Sequence, residues 1–192
     1  MRVLVVFDHP RRQSFCGAVL DEFVAGLAES RHEYEVADLN AEGFDPRMPE
    51  ADEPDWDDAD KRYSEPVLRE QARIARNEAL AFVFPVWWWS APAMLKGWID
   101  RVWNNGWAYG ARKLPHRQAL MIGTAAGSAE GYRRRGYDEA MLTQLVVGVM
   151  NYCGIDDAEL RLLYEVTESP ERRAEHLLVA RAFGRDFAKH PA

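Results

Sequence analysis

Three short stretches of this chain hold the residue types from which a ligand site is built. The first, at 8–16, reads Asp-His-Pro-Arg-Arg-Gln-Ser-Phe-Cys and leads from an apolar run into a helix-like pattern. A helix N-terminus offers free backbone N–H groups and the positive end of its dipole, so this loop suits a phosphate, with His9 and Ser14 as added donors. Ser14 on its own also reads as an ordinary N-cap. The second stretch is Pro85-Val86-Trp87-Trp88-Trp89. Three successive tryptophans in a short connection cannot all be buried, and their faces suit a planar aromatic guest. Aromatic residues are also enriched in cores and at subunit contacts, so packing or an interface stays open for them. The third stretch is Gly123-Thr124-Ala125-Ala126-Gly127-Ser128, followed by Tyr132. Small side chains let backbone amides approach a ligand closely. The bland alternative is a tight strand-to-helix loop.

Strands alternate with helices from end to end. Apolar runs at 2–7, 79–84 and 119–124 predict buried parallel strands, 34–39 a half-polar edge strand, and 160–164 a fifth strand. Helical spacing predicts helices over 67–77, 137–152 and 170–188, with another opened by Ser14. Ser90 and Pro92 are expected to cap a further helix, whose Leu95, Trp98, Ile99 and Val102 face a core. The class is therefore α/β, a doubly wound five-stranded parallel sheet with helices on both faces and expected order 2-1-3-4-5. In that order the carboxyl ends of strands one, three and four lie side by side, and the three loops converge on one cleft.

The chain of 192 residues reads as one domain, 1–192, with an acidic, proline-containing excursion at 44–66. That excursion is read as a solvated loop, or as the rim of a partner's cleft in a dimer. A net charge of −7 argues against nucleic acid or an anionic membrane as partner. No stretch approaches the roughly 20 apolar residues of a membrane span, and the first apolar run is too short for a signal peptide. Cys16 and Cys153 lack metal or redox spacing and are expected to be reduced in a cytoplasmic protein. His9, His32, His116, His176 and His190 are scattered, and such lone histidines are usually solvated. No hydrolase elbow, zinc motif, Walker loop or dinucleotide fingerprint is present. One aromatic and two small polar loops meeting at the switch point suit a phosphorylated planar cofactor. A flavin fits, phosphate on the first loop and ring system against the other two.

The motifs carry a resemblance as well. His9 with Ser14-Phe15, the 85–89 turn, Ala91-Pro92-Ala93-Met94-Leu95-Lys96-Gly97-Trp98 and Gly106-Trp107-Ala108-Tyr109-Gly110 together resemble the NAD(P)H:quinone oxidoreductases of flavodoxin-like fold. That group spans diaphorase-type quinone reductases and flavoprotein ancillary subunits of membrane transporters, and the second role is the alternative reading. The resemblance implies a cytoplasmic homodimer with one flavin, FAD or FMN, per subunit. NAD(P)H and a quinone-like acceptor would use one pocket in turn. It places His9, Ser14, Phe15 and Cys16 on the flavin phosphate, and Pro85, Val86, Trp87, Trp88 and Trp89 on the ring-binding turn. Gly123, Thr124, Ala125 and Ala126 fall at the pyrimidine side. Tyr132 falls near the reacting substrates as the catalytic residue, and Trp89 and Tyr109 on substrate, Tyr109 from across the dimer. The chain departs from the pattern at Cys16, where asparagine is common, and at Ala125-Ala126, where glycines are. Diaphorase-type members have a histidine a few residues beyond the tyrosine; here Arg133, Arg134, Arg135, Gly136, Tyr137 and Asp138 follow Tyr132 instead.

Overall fold

Alternating apolar positions that must bury two faces at once produce a sheet covered on both sides. β1 (Arg2–Phe7), β2 (Glu33–Asp38), β3 (Ala79–Pro85), β4 (Ala119–Thr124) and β5 (Ala158–Leu163) run in the order β2-β1-β3-β4-β5, every pairing parallel. The structure is a computed structural model and describes residues 1–187. Successive side chains point to opposite faces. Leu4, Val6, Leu80, Phe82 and Phe84 therefore share a core with Trp98, Trp103 and Met121. Val3, Val5, Phe7, Ala81 and Val83 share the other core with Phe23, Leu27 and Phe187. α1 (Phe15–Glu29) and α6 (Pro170–Asp186) cover the second face; α2 (Glu65–Ala75) and α3 (Ala93–Val102) cover the first. The expected order and both layers of helices are observed.

Several local expectations are corrected. The region after β4, read as a loop up to residue 136, contains a short helix, α4 (Ala129–Arg135), capped by the Ser128 hydroxyl, which accepts from the Gly131 amide. Gly136, at φ 69°, breaks it from α5 (Tyr137–Met141), which continues as a π-helical stretch, Leu142–Asn151. Ser90 does not cap α3. Pro92 holds the cap position without a side-chain bond, while the Ser90 hydroxyl pairs with the side-chain oxygen of Gln144. The α3 amide that needs an acceptor finds it across the sheet: Leu95 N–H donates to Asp8 Oδ2 at 2.8 Å. For the last helix, the expected end near residue 188 lies outside the described residues, as does His190.

The 44–66 excursion is not a free solvated loop. A 3-10 turn, Glu50–Asp52, carries Asp52 to a fully buried position, where it pairs with Arg101 of α3 at 2.7 Å. Asp52 also accepts from the Ser64 amide and hydroxyl at 2.9 and 2.8 Å. Burial alone would raise this carboxyl; the bonds from Arg101 and Ser64 outweigh it and hold it below its ordinary value. Arg101 donates on to the Asp45 carbonyl and lies over the Phe44 ring. Asn105 Nδ2 donates to the Asp55 carbonyl at 2.9 Å. The segment is a strap fastened along α3 and the following loop.

Candidate functional site

At the carboxyl edge of the sheet, Phe7, Pro85 and Thr124 end adjacent strands, and the three loops leave from there. Asp8, the first residue beyond β1, is buried and ties this edge together. Its amide donates to the Val83 carbonyl, and its carboxylate accepts from Asn40 Nδ2 at 2.7 Å and from Leu95 N–H. Burial raises its pKa, and the hydrogen bonds only partly offset this. Asp8 is a positioning residue that nothing in the sequence pattern had singled out.

In the first loop, His9 Nδ1 accepts from the Arg11 amide at 3.0 Å. Burial, then the Arg11 charge, lowers the His9 pKa and favours the neutral ring. With Nδ1 an acceptor, the proton sits on Nε2, which is left as a donor. The Ser14 hydroxyl caps α1 by accepting from the Gly17 amide at 3.1 Å, which leaves its own hydrogen to donate. The amides of Phe15 and Cys16, in the first turn of α1, have no intrahelical acceptor. All of these groups are donors, the set an anionic phosphate needs. The loop also requires Gly17, because a Cβ there would sit 1.9 Å from the Arg12 carbonyl oxygen. The Cys16 side chain does not face the cleft. It is buried in the α1 core with a bond to Thr124, and burial pushes its thiol up to about 12. Phe15 is half-buried against the same core.

The second loop is held by a two-way backbone pairing of Trp87 with Ser90 and by Val86 N–H donating to the Thr124 carbonyl at 2.9 Å. Trp88 and Trp89 have φ of 52° and 53°, a left-handed conformation that is unfavourable for bulky side chains. The turn keeps its rings out of the core. Trp88 is 87% exposed, Trp87 46% and Trp89 40%, whereas Trp98 and Trp103 are buried. The His9 and Trp87 rings lie 6.1 Å apart, so the first two loops do meet. Trp89 stacks on Tyr137 at 4.1 Å.

The third loop divides. Gly123, Thr124 and Ala125 are buried, and the Ala125 amide donates to the Leu163 carbonyl at 2.8 Å. Gly123 is needed for packing, since a Cβ would lie 2.8 Å from Leu162 and 2.9 Å from Val86. Ala126, Gly127 and Ser128 are the exposed part. Tyr132 packs beneath them, edge-on to Tyr137 at 5.9 Å and Tyr164 at 5.1 Å, and burial raises its phenol pKa. Tyr137 and Tyr164 carry no site signal in the sequence, because a tyrosine at the start of a helix or just past the end of a strand has no spacing that ties it to Tyr132.

Tyr109, expected to act from across a dimer, lies apart from its own subunit's three loops. It sits between Trp56 of the strap and Tyr152, both at 5.8 Å, over a hollow of about 380 Å³ shared with Met48 and Val149. Three of the four described histidines are not simply solvated as expected. The His32, His116 and His176 rings each bond a backbone carbonyl, and His116 is buried and held neutral by that burial. Both cysteines are buried and free. Among the described residues no helix is long and apolar enough to cross a membrane, and no cluster of His, Cys, Asp or Glu is placed to hold a metal ion.

The family profile described as flavodoxin-like fold matches residues 1–183, and the chain belongs to that family. It is 37% identical over 163 residues to an uncharacterized NAD(P)H oxidoreductase, YcaK, of Escherichia coli K12, covering 84% of this chain and 83% of that one. It is 28% identical to NAD(P)H dehydrogenase [quinone] 1 of Cavia porcellus over 193 residues, covering 88% and 70%. Among solved structures, the NAD(P)H:quinone oxidoreductase of Methanothermobacter marburgensis superposes with a TM-score of 0.96 at 33% identity, over 100% of this chain and 98% of that one.

Proposed function

We propose that the protein is a flavin-dependent NAD(P)H:quinone oxidoreductase, with the flavin held by the three loops and NAD(P)H and a quinone-like acceptor alternating over its ring. The observation that carries this reading is the donor set at the start of α1 beside an exposed tryptophan wall, in a fold shared at TM-score 0.96 with an NAD(P)H:quinone oxidoreductase. When bound, the flavin supplies the hydride chemistry between donor and acceptor. The chain's residues do the rest. His9 Nε2–H, the Ser14 hydroxyl and the first amides of α1 hold the phosphate shared by FMN and FAD. Val86, Trp87 and Trp88 border the ring system, and Trp89, braced by Tyr137, faces the acceptor and excludes water. The exposed backbone of Ala126 and Gly127 would lie at the pyrimidine side of the bound ring and offer it N–H donors. Tyr132, its phenol kept protonated by burial, donates a hydrogen bond to the acceptor oxygen on which charge develops. The active form in this reading is a cytoplasmic homodimer, in which the apolar hollow under Tyr109 and Tyr152 is covered by a second copy.

Stopped-flow absorbance tests the reading. The flavin of the purified protein is expected to bleach on mixing with NADPH or NADH and to regain colour on adding a small benzoquinone. Protein that is colourless and takes up neither FMN nor FAD on reconstitution overturns it. Tyr132→Phe is expected to lower kcat by about ten- to a hundredfold at unchanged flavin occupancy, since a hydrogen bond to charge is worth about 1.5–3 kcal/mol. Unchanged kinetics in steady state would remove Tyr132 from the mechanism.

A further inference from the structure

Five aromatic rings form an unbroken series from the exposed turn to the carboxyl end of β5. Trp88 meets Trp89 at 5.8 Å, Trp89 stacks on Tyr137 at 4.1 Å, Tyr137 meets Tyr132 at 5.9 Å and Tyr132 meets Tyr164 at 5.1 Å, all between ring centroids. The series begins at the most exposed tryptophan of the turn and runs inward through Tyr132, which is 6% exposed. It ends at half-buried Tyr164, on a cavity of about 450 Å³ that Arg133 and Asp138 also line. Among the aromatic side chains Trp and Tyr give up one electron readily, and every member of this series is one or the other. The strained left-handed backbone of Trp88 and Trp89 sets the first two rings in line, which packing alone would not demand of exposed residues.

We propose that these rings are a relay that carries a one-electron oxidation from the mouth of the cleft along its wall to Tyr164. The oxidant is a radical in solution of the azide or carbonate class. It takes one electron from the Trp88 indole, becomes its own anion, and the indole loses its N–H proton to water. An electron then passes stepwise from Tyr164 through Tyr132, Tyr137 and Trp89 to the Trp88 radical, whose nitrogen regains a proton from water. Tyr164 ends as the neutral phenoxyl radical, its hydroxyl proton passing to water in the cavity it borders. The direction follows from proton release: a phenol gives up its proton on oxidation more completely than an indole, so the hole settles on tyrosine. Tyr132, walled off from water, is a poor place to release that proton. Tyr164 borders an open cavity with the Asp138 carboxylate on its wall, and Asp138 and Arg133 both act on its hydroxyl electrostatically. The relay depends on the rings alone and requires no particular ligand in the cleft.

Pulse radiolysis with the azide radical reads this directly. Trp56, which is exposed and has its own tyrosine neighbour in Tyr109, supplies a competing path and is first removed as Trp56→Phe. In that background the tryptophan radical is expected to decay with matching growth of a tyrosyl radical, at a first-order rate independent of protein concentration. Tyr137→Phe, which keeps the stacked ring but cannot be oxidised, is expected to slow that growth at least tenfold. Tyr164→Phe is expected to shorten the lifetime of the tyrosyl signal, leaving it on Tyr132. Spin-trap adducts mapped by peptide mass spectrometry should fall on Tyr164 in the parent. Tyrosyl growth that scales with protein concentration, is untouched by Tyr137→Phe, or leaves its adducts on Trp88 overturns the relay.

Discussion

Asp52→Ala is expected to destabilise the protein by about 3–5 kcal/mol, the cost of leaving a buried partner charge uncompensated. The Arg101 side chain is only 7% exposed and that of Asp52 not at all, so solvent cannot take over the lost interaction. Three bonds to Asp52 go together, one from Arg101 and two from Ser64, and with them the fixed point of the 44–66 strap. At 2–4 °C per kcal/mol for a chain of this size, the midpoint should fall by roughly 10 °C. Urea denaturation gives the free energy, and limited proteolysis should show cleavage within 44–66 before the rest of the chain opens. The paired change Asp52→Leu with Arg101→Met should recover much of the loss, because a buried ion pair is often no better than apolar side chains of similar volume. If the single variant loses under about 1 kcal/mol, the strap is not anchored by this pair. The pH dependence has a definite sign. The folded carboxyl lies below its unfolded value, so its contribution is complete above the ordinary aspartate range and is lost as pH falls through the folded value.

The same pair marks the boundary of what the sequence discloses. Sheet order, the two faces of the sheet and the convergence of three loops follow from local patterns, because apolar period and loop position are recorded residue by residue. The docking of the acidic segment is not. A run of aspartates and glutamates reads as solvated unless one knows that Arg101, 49 residues further on, waits beneath it. Asp8 is similar: its acceptor role at the α3 amide joins positions 87 residues apart, and nothing near Asp8 in the chain announces it. Within the site, the three loops are legible because they lie where strands end. Which way a side chain turns is not, since position in a loop does not record it: the side chains of Cys16 and Ala125 turn into the core. α4 carries no apolar stripe to announce it, because Tyr132 is its only buried residue and five of its seven are glycine or charged.

Gly184→Ala separates two principles that predict opposite signs. In an exposed helix interior, alanine in place of glycine stabilises by about 1 kcal/mol through backbone entropy. Here the contact of α1 with α6 reverses that. A Cβ on Gly184 would stand 2.0 Å from the Phe23 carbonyl oxygen, and one on Gly26 would stand 2.1 Å from that of Arg181. The two glycines face each other, and what they meet is backbone, which cannot rotate aside as a side chain can. The helices would have to separate, and separation opens the second core, where Phe23, Leu27, Ala180 and Phe187 interlock. Overpacking typically costs 1–3 kcal/mol, more where backbone must move, so Gly184→Ala should destabilise by about 2–4 kcal/mol. Gly26→Ala should behave alike, and the double variant should lose less than the sum, because one displacement relieves both clashes. Denaturant midpoints at constant m-value are the measurement. Flavin retention is expected to survive in the folded fraction, because α1 starts at Phe15 and Gly26 lies roughly 16 Å along it from the first amides of the helix, where the phosphate is proposed to sit. A stabilised Gly184→Ala would mean that α1 and α6 do not touch through these glycines, and the assignment of α6 to that face of the sheet would have to be redrawn.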